Sequence, residues 1–260
     1  MDAVGDLLAR DRRSDRPVLV VGDGRERSYH ELITNAYKAG NVFRYHGVGE
    51  GRTVAVAPVP DLPPVLAFLG AAQLGAATRF DPEAGADAGD RLLLVPATEQ
   101  AAYDPAPGTK LAVFGSVDGR SPSANRTQSD DDAGDAGTID WAESVWSENP
   151  AFPPTEIDPE TPLLVAGDRV VSHGDALAAA SEVADCRGLD ADSRVVIRAS
   201  LAEPGAVVAG LLAPLLVGGC AVLADPTETA EKARGDLAVT AGEAPEPERI
   251  GFADVPLSVD

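Results

Sequence analysis

RPVLVVGDGRERSYHELITNAYKAGNVFRYHGVGEGRTVAVAPVPDLPPVLAFLGAAQLGAATRFDP, residues 16–82, alternates strand and helix signals without a gap. The apolar run Val18 to Val21, the turn at Gly22-Asp23-Gly24 and the return to Ser28 predict a hairpin, because Asp-Gly supplies the positive φ that a tight turn needs. Ser28 opens a helix. Glu31, three residues on, completes a capping box, and Leu32, Ile33, Ala36, Ala39, Val42 and Phe43 recur at helical spacing until Gly47. A buried strand at Thr53 to Val59, an apolar helix at Pro63 to Leu74 and a further strand at Ala76 to Phe80 complete the unit.

The same order returns from Leu163: LLVAGDRVVSHGDALAAASEVADCRGLDADSRVVIRASLAEPGAVVAGLLAPLLVGGCAVLADP. Ser28 and Ser172, Gly75 and Gly219, and the Asp81-Pro82 and Asp225-Pro226 pairs are all separated by the same number of residues. The two stretches therefore read as an internal repeat, with hairpin, helix, strand, helix and strand in each copy.

At these residues the chain resembles the acyl-adenylate-forming (AMP-binding) superfamily of acyl-CoA synthetases, luciferases and peptide-synthetase adenylation domains. Ser28-Tyr29-His30-Glu31-Leu32 is similar to the family's (T/S)-Y-x-E-L motif. Leu69 to Pro82, LGAAQLGAATRFDP, is similar to its L-x-A-x-x-x-G-A-x-x-x-x-D-P signature. Arg194 to Val196 and Ala206 to Leu216 resemble the segment after the family's phosphate loop. The resemblance covers roughly the first half of such an enzyme's large domain. It implies an α/β fold of two related layered modules, as in the large domain of acyl-CoA synthetases but truncated.

Composition bounds the setting. With 260 residues and 44% hydrophobic content the chain can bury a substantial core. Forty-two acidic residues face 21 basic ones, a net charge of -21, and Lys38, Lys110 and Lys232 are the only lysines. That balance points to the cytoplasm of an extreme halophile, where molar salt shortens the Debye length to about 3 Å and screens self-repulsion. It excludes nucleic acid and anionic membranes as partners, since both need basic patches. Cys186 and Cys220 lack metal-ligand or redox spacing and read as two small buried hydrophobes. Met1 to Asp15 is charged and carries no signal peptide, and the longest apolar run, Ala206 to Val222, is broken by Gly and Pro.

Along the chain, Asp2 to Arg13 is expected to form a short amphipathic helix with Val4, Leu7 and Leu8 on one side. Arg91 to Pro96 and Lys110 to Gly115 should extend the first sheet. We place the first module at 1–115, a flexible acidic loop and Pro-rich linker at 116–158, and the second module with a loose C-terminal tail at 159–260. Trp141 and Trp146 should pin the linker to the domain. A helix at Thr227 to Arg234 and a strand at Leu237 to Thr240 follow the second module.

The resembled family carries on its second hairpin a Ser/Thr/Gly-rich loop ending in Pro-Lys-Gly, whose amides and lysine cradle ATP phosphates. Here Pro162 to His173 reads PLLVAGDRVVSH, and no lysine lies between Lys110 and Lys232. The candidate cofactor contacts are Arg169, Ser172 and His173. Arg169 reads better as a solvated hairpin residue beside Asp168, and His173 better as a structural residue at a helix start. His30 and His46 have no carboxylate or serine at a catalytic spacing. The family's adenine, ribose and Tyr-Gly-x-Thr-Glu motifs, and its C-terminal domain with the catalytic lysine, have no counterpart in the sequence. We assign no catalytic residue and no metal ligand. The resemblance thus implies a non-catalytic binding or regulatory relative without a cofactor. The alternative is an ATP-dependent, AMP-forming acid-CoA ligase component, with ATP/AMP or CoA as ligands, completed by another chain. Expected partners are another chain of this family or a second copy.

Overall fold

The computed structural model describes residues 1–22, 24–82, 89–115, 137–224 and 233–257. The first segment forms the hairpin β1 (Pro17–Val20) and β2 (Glu26–Ser28), then α1 (Tyr29–Tyr45), β3 (Thr53–Val56), α2 (Leu62–Ala72) and β4 (Ala77–Arg79). Strands β5 (Asp90–Pro96), β6 (Lys110–Phe114) and β7 (Ile139–Asp140), and helix α3 (Trp141–Ser147), follow. The second segment repeats the order with β8 (Pro162–Ala166), β9 (Arg169–Ser172), α4 (His173–Arg187) and β10 (Arg194–Ile197). Its second helix runs from α5 (Pro204–Val207) through a π turn (Val208–Leu212) into α6 (Ala213–Val217), before β11 (Cys220–Leu223). β12 (Leu237–Val239) and β13 (Glu248–Ile250) come last.

Local chemistry accounts for the helix starts. The Ser28 hydroxyl accepts from the Glu31 amide at 3.2 Å, and the Glu31 carboxylate accepts from the Ser28 amide at 2.8 Å. Asp61 caps α2, with Leu62 and Pro63 as its first helical residues. Ser172 caps α4 by accepting from the Asp175 amide at 3.1 Å.

The strands pair across the two segments. One sheet has the order β13-β12-β10-β11-β1-β2 and the other β7-β6-β5-β3-β4-β8-β9. Each hairpin therefore joins the sheet of the other segment, and the boundary at 159 divides the sequence but not the sheets. Val20 pairs with Val222 and Thr78 with Leu164, positions related by the separation that relates Ser28 to Ser172. Both hairpins also shift register next to the helix cap, between Pro17 and Leu19 opposite Ser28 and between Pro162 and Leu164 opposite Ser172.

The helices lie between the sheets. One core cluster joins α1, α2, α4, α5 and α6 to Leu19, Val195 and Ile197 of one sheet and Val54, Val56, Leu92 and Leu94 of the other. The alternating residues Val20, Val196 and Val222, and Ala55, Leu93 and Val113, form separate clusters on the far faces. α1 and α2 cross closely at Gly70, where an added Cβ would stand 3.0 Å from the Ala39 Cβ and the Gly40 amide.

Several expectations need correction. The lead-in is not an α-helix but two 3₁₀ turns, Val4–Leu8 and Arg10–Arg12, broken where Ala9 becomes extended. The Asp6 carboxylate takes the Asp2 and Ala3 amides, and Val4, Leu7 and Leu8 are buried as expected. Arg12 Nη2 donates to the Leu215 and Leu216 carbonyls, completing the C-terminal end of α6. The C-terminal stretch adds β13, parallel to β12, and buries Ile250 and Val255. Cys186 is exposed, because it lies in the last turn of α4 beyond the buried stripe that ends at Ala184; Cys220 is buried. Trp141 is buried against Phe43, but Trp146 is 84% exposed, because the short α3 turns Trp141 and Val145 inward and Trp146 out. Most of the loop expected at 116–137, the Asp225-Pro226 pair and most of the helix expected at Thr227 to Arg234 lie outside the described residues.

The linker is held by donors along one face of α1. Lys38 Nζ donates to the Trp146 carbonyl at 3.1 Å. Asn41 Nδ2 donates to the carbonyls of Asn149 and Ala151 at 2.8 and 2.9 Å. Arg44 Nη2 donates to the Pro153 carbonyl at 3.3 Å. Phe152 fits over Gly40, where any Cβ would come within 2.6 Å of its ring. Asn41→Ala should lower the free energy of unfolding in denaturant titrations by about 1 kcal/mol, and Phe152→Ala by about 3 kcal/mol. An equal, negligible effect of both would mean that the linker is not anchored here.

Candidate functional site

The place where a phosphate loop is expected is the β8–β9 turn. Ala166 pairs with Arg169, so only Gly167 and Asp168 form the loop, with Gly167 at φ 59°. A two-residue turn of this kind closes on itself and presents few free amides. Asp168 and Arg169 are both exposed. The hollow beside the hairpin, about 560 Å³, is bounded by Val165, Val170, Glu50, Asp158 and Glu160, with Arg52 as the cation in its wall. Three carboxylates against one guanidinium repel a polyanion.

Ser172 and His173 sit at the start of α4, and both are engaged in holding the fold. The Ser172 hydroxyl donates to the Asp175 carboxylate at 2.7 Å as well as capping the helix. The His173 ring is fully buried, and its Nδ1 accepts from the Val4 amide at 3.1 Å. The ring proton is thereby placed on Nε2, which has no partner among the described residues. Burial pushes the imidazole pKa down to about 4, against the opposing pull of the Asp6 carboxylate. His173 is thus a neutral acceptor that ties the N-terminal segment to the second half of the sequence. Arg169, on the exposed side of β9, is not brought together with these two into one site.

Tyr29 stands where His173 stands, one residue after the helix cap, and makes the reciprocal tie. Its hydroxyl donates to the Gly219 carbonyl at 2.8 Å, and burial raises its pKa to about 12. At the C-terminal end of β10, where open α/β sheets place ligands, Arg198 is held by Glu246 through Nε at 2.9 Å and Nη2 at 2.6 Å. Nη2 also donates to the Ala233 carbonyl at 2.9 Å, so this cation is largely neutralised from within. Nothing local in the sequence signals the pair, since Glu246 comes from the Pro-rich tail. His30 is exposed, and His46 is held below its usual pKa by burial and by Lys110 and Arg91.

No protein-family model and no curated protein matches the sequence. Solved structures do match in three dimensions. The anthranilate CoA ligase AuaEII in complex with anthranoyl-AMP has a TM-score of 0.70 at 16% identity, covering 92% of this chain and 49% of that one. The N-terminal domain of FACL13 from Mycobacterium tuberculosis gives 0.69 at 16% identity, covering 92% of this chain and 63% of that one. This chain has the fold of the N-terminal part of acyl-CoA ligases. The nonribosomal peptide synthetase FmoA3 matches it at 0.67 with 19% identity over 88% of this chain. The chain spans about half the length of the CoA ligases it matches. No helix among the described residues is long and apolar enough to cross a membrane.

Proposed function

We propose that this chain is a non-catalytic relative of the acyl-CoA ligases that keeps their fold for binding or regulation. The observation that carries the reading is the β8–β9 turn, two residues long and containing Asp168, at the position of the family's phosphate loop. Of the three candidate contacts, Ser172 and His173 are committed to a helix cap and to the Val4 amide, and Arg169 lies exposed on β9. Carboxylate-dependent pyrophosphate exchange by the pure chain tests the reading, which expects none. ATP, AMP or CoA would be ligands only if another chain supplied a phosphate loop. The matched strand pairings and hairpin shifts support an internal repeat. The net charge of -21 supports a cytoplasm of high salt.

A further inference from the structure

Arg13 carries two buried donors with no acceptor. Its side chain is half-buried, and Nε and Nη2 are both shut off from solvent and without a hydrogen-bond partner among the described residues. These two nitrogens form one edge of the guanidinium, whose parallel N–H groups match the two oxygens of an oxyanion. Arg198 has the same edge in use, with Nε and Nη2 on the Glu246 carboxylate at 2.9 and 2.6 Å. Charged donors are costly to leave buried and unmatched, so the Arg13 edge calls for an acceptor that the described residues do not supply.

A second guanidinium stands beside it. The Arg13 Cζ lies 5.2 Å and the Arg10 Cζ 5.9 Å from the centroid of the same Tyr37 ring. Phe152 is stacked on one face of that ring at 5.5 Å, so the two cations share its other face and edge. The ring attracts each cation but cancels no charge, and the like charges repel. Neither arginine forms an ion pair among the described residues, although acidic residues outnumber basic ones 42 to 21. The Asp6 carboxylate of the same segment is taken by the Asp2 and Ala3 amides.

Arg10 is exposed and lines a cavity of about 640 Å³ that also reaches Tyr37. No side-chain hydrogen bond among the described residues holds it, so it can swing aside to admit an anion and close on it. The cavity shares no lining residue with the hollow beside the β8–β9 hairpin.

We infer that Arg13 and Arg10 form a site for a dianionic phosphate group, two of its oxygens on the Nε and Nη2 edge of Arg13 and a third toward Arg10. Charge decides the class. One guanidinium edge matches one carboxylate, as at Arg198 and Glu246, whereas two unpaired guanidiniums match a dianion. The phosphate is free, or is the ester of a small molecule that extends into the cavity. The site goes beyond the non-catalytic reading and does not rest on it, and carboxylate-dependent pyrophosphate exchange would sink that reading without touching this one.

The test is a phosphorus NMR titration of the full chain in molar KCl at about pH 7.5, where phosphate monoesters are dianions. Molar salt screens long-range attraction, so the titration reads direct contact with the two arginines. Inorganic phosphate and glycerol 3-phosphate are the probes, and dimethyl phosphate, a monoanion, is the comparison. We expect saturable binding at one site, with dimethyl phosphate weaker by about tenfold. Arg13→Lys keeps the charge beside Tyr37 but loses the paired donors, and should weaken both probes by about tenfold as well. Arg10→Gln should weaken them without changing the circular dichroism. Tighter binding of glycerol 3-phosphate than of inorganic phosphate supports an ester in the cavity, and the reverse supports free phosphate. Should either variant fail to fold, the comparison of dianion with monoanion on the unmodified chain decides. No saturable binding of either dianion at about 10 mM, or equal affinity for dimethyl phosphate, overturns the proposal.

Discussion

Moving the protein from molar KCl to about 0.1 M should unfold it, with loss of its helical circular dichroism. The formal charge is -21, and acidic side chains such as Asp11, Asp15, Glu31, Glu50, Asp104, Glu156, Glu182 and Asp192 are exposed. Lowering the salt lengthens the Debye screening distance from about 3 Å to about 10 Å, which lets carboxylates on neighbouring turns and strands repel one another. Internal pairing offers little relief, because surface pairs such as Arg16–Asp192 and Arg194–Glu26 contribute about 0–1 kcal/mol each. A domain with roughly 5–15 kcal/mol of total stability cannot absorb that repulsion without compensation. Refolding on return to molar KCl should follow, and a melting temperature indifferent to salt would remove the high-salt reading.

The second large effect comes from His173. Its folded pKa of about 4 lies below the ordinary value of 6.5, so the unfolded chain binds more protons between those two values. The contribution of the neutral ring is fully present above pH 6.5 and is lost as pH falls toward 4. The magnitude is about 3 kcal/mol, with the imidazole fully buried and its charged form bringing a second proton to the nitrogen that now accepts from Val4. Carboxylates that protonate over the same range relieve the negative charge and push the other way. The measurement is therefore the difference between the native chain and His173→Gln in unfolding free energy at pH 7 and at pH 4.5. The gap between them should narrow or reverse at the lower pH, and a gap independent of pH would contradict the assignment.

The legible parts of this fold are those whose chemistry is local. Ser28 and Glu31 form their capping box and Ala166–Arg169 their tight turn, because the partners lie within a few residues. The exchange of hairpins between sheets was not legible, since a strand's composition does not say which remote strand it will meet. β1 finds β11 some two hundred residues on by burial and register alone. The 3₁₀ lead-in escaped the helical reading because the chain turns extended at Ala9 and leaves two turns too short for an α-helix, a break that apolar spacing does not record. Of the candidate site, the shrunken loop and the absent lysine were visible in the residues. The roles of Ser172 and His173 were not, because they depend on Asp175 and on the distant Val4.

Adenylation needs donors fixed around the triphosphate and a cation near the reacting phosphorus, since electrostatic stabilisation and positioning lower most of its barrier. Losing one such donor costs on the order of a hundredfold in rate, and on the proposed reading the β8–β9 turn offers only Gly167 and Asp168 where that set would stand. Carboxylate-dependent ATP–pyrophosphate exchange in molar KCl, with the pure chain, an Asp168→Ala control and a panel of carboxylic acids, tests this most directly. The account predicts exchange no greater than that of heat-killed protein for both forms. Substrate-dependent exchange by the unmodified chain well above that level would contradict it.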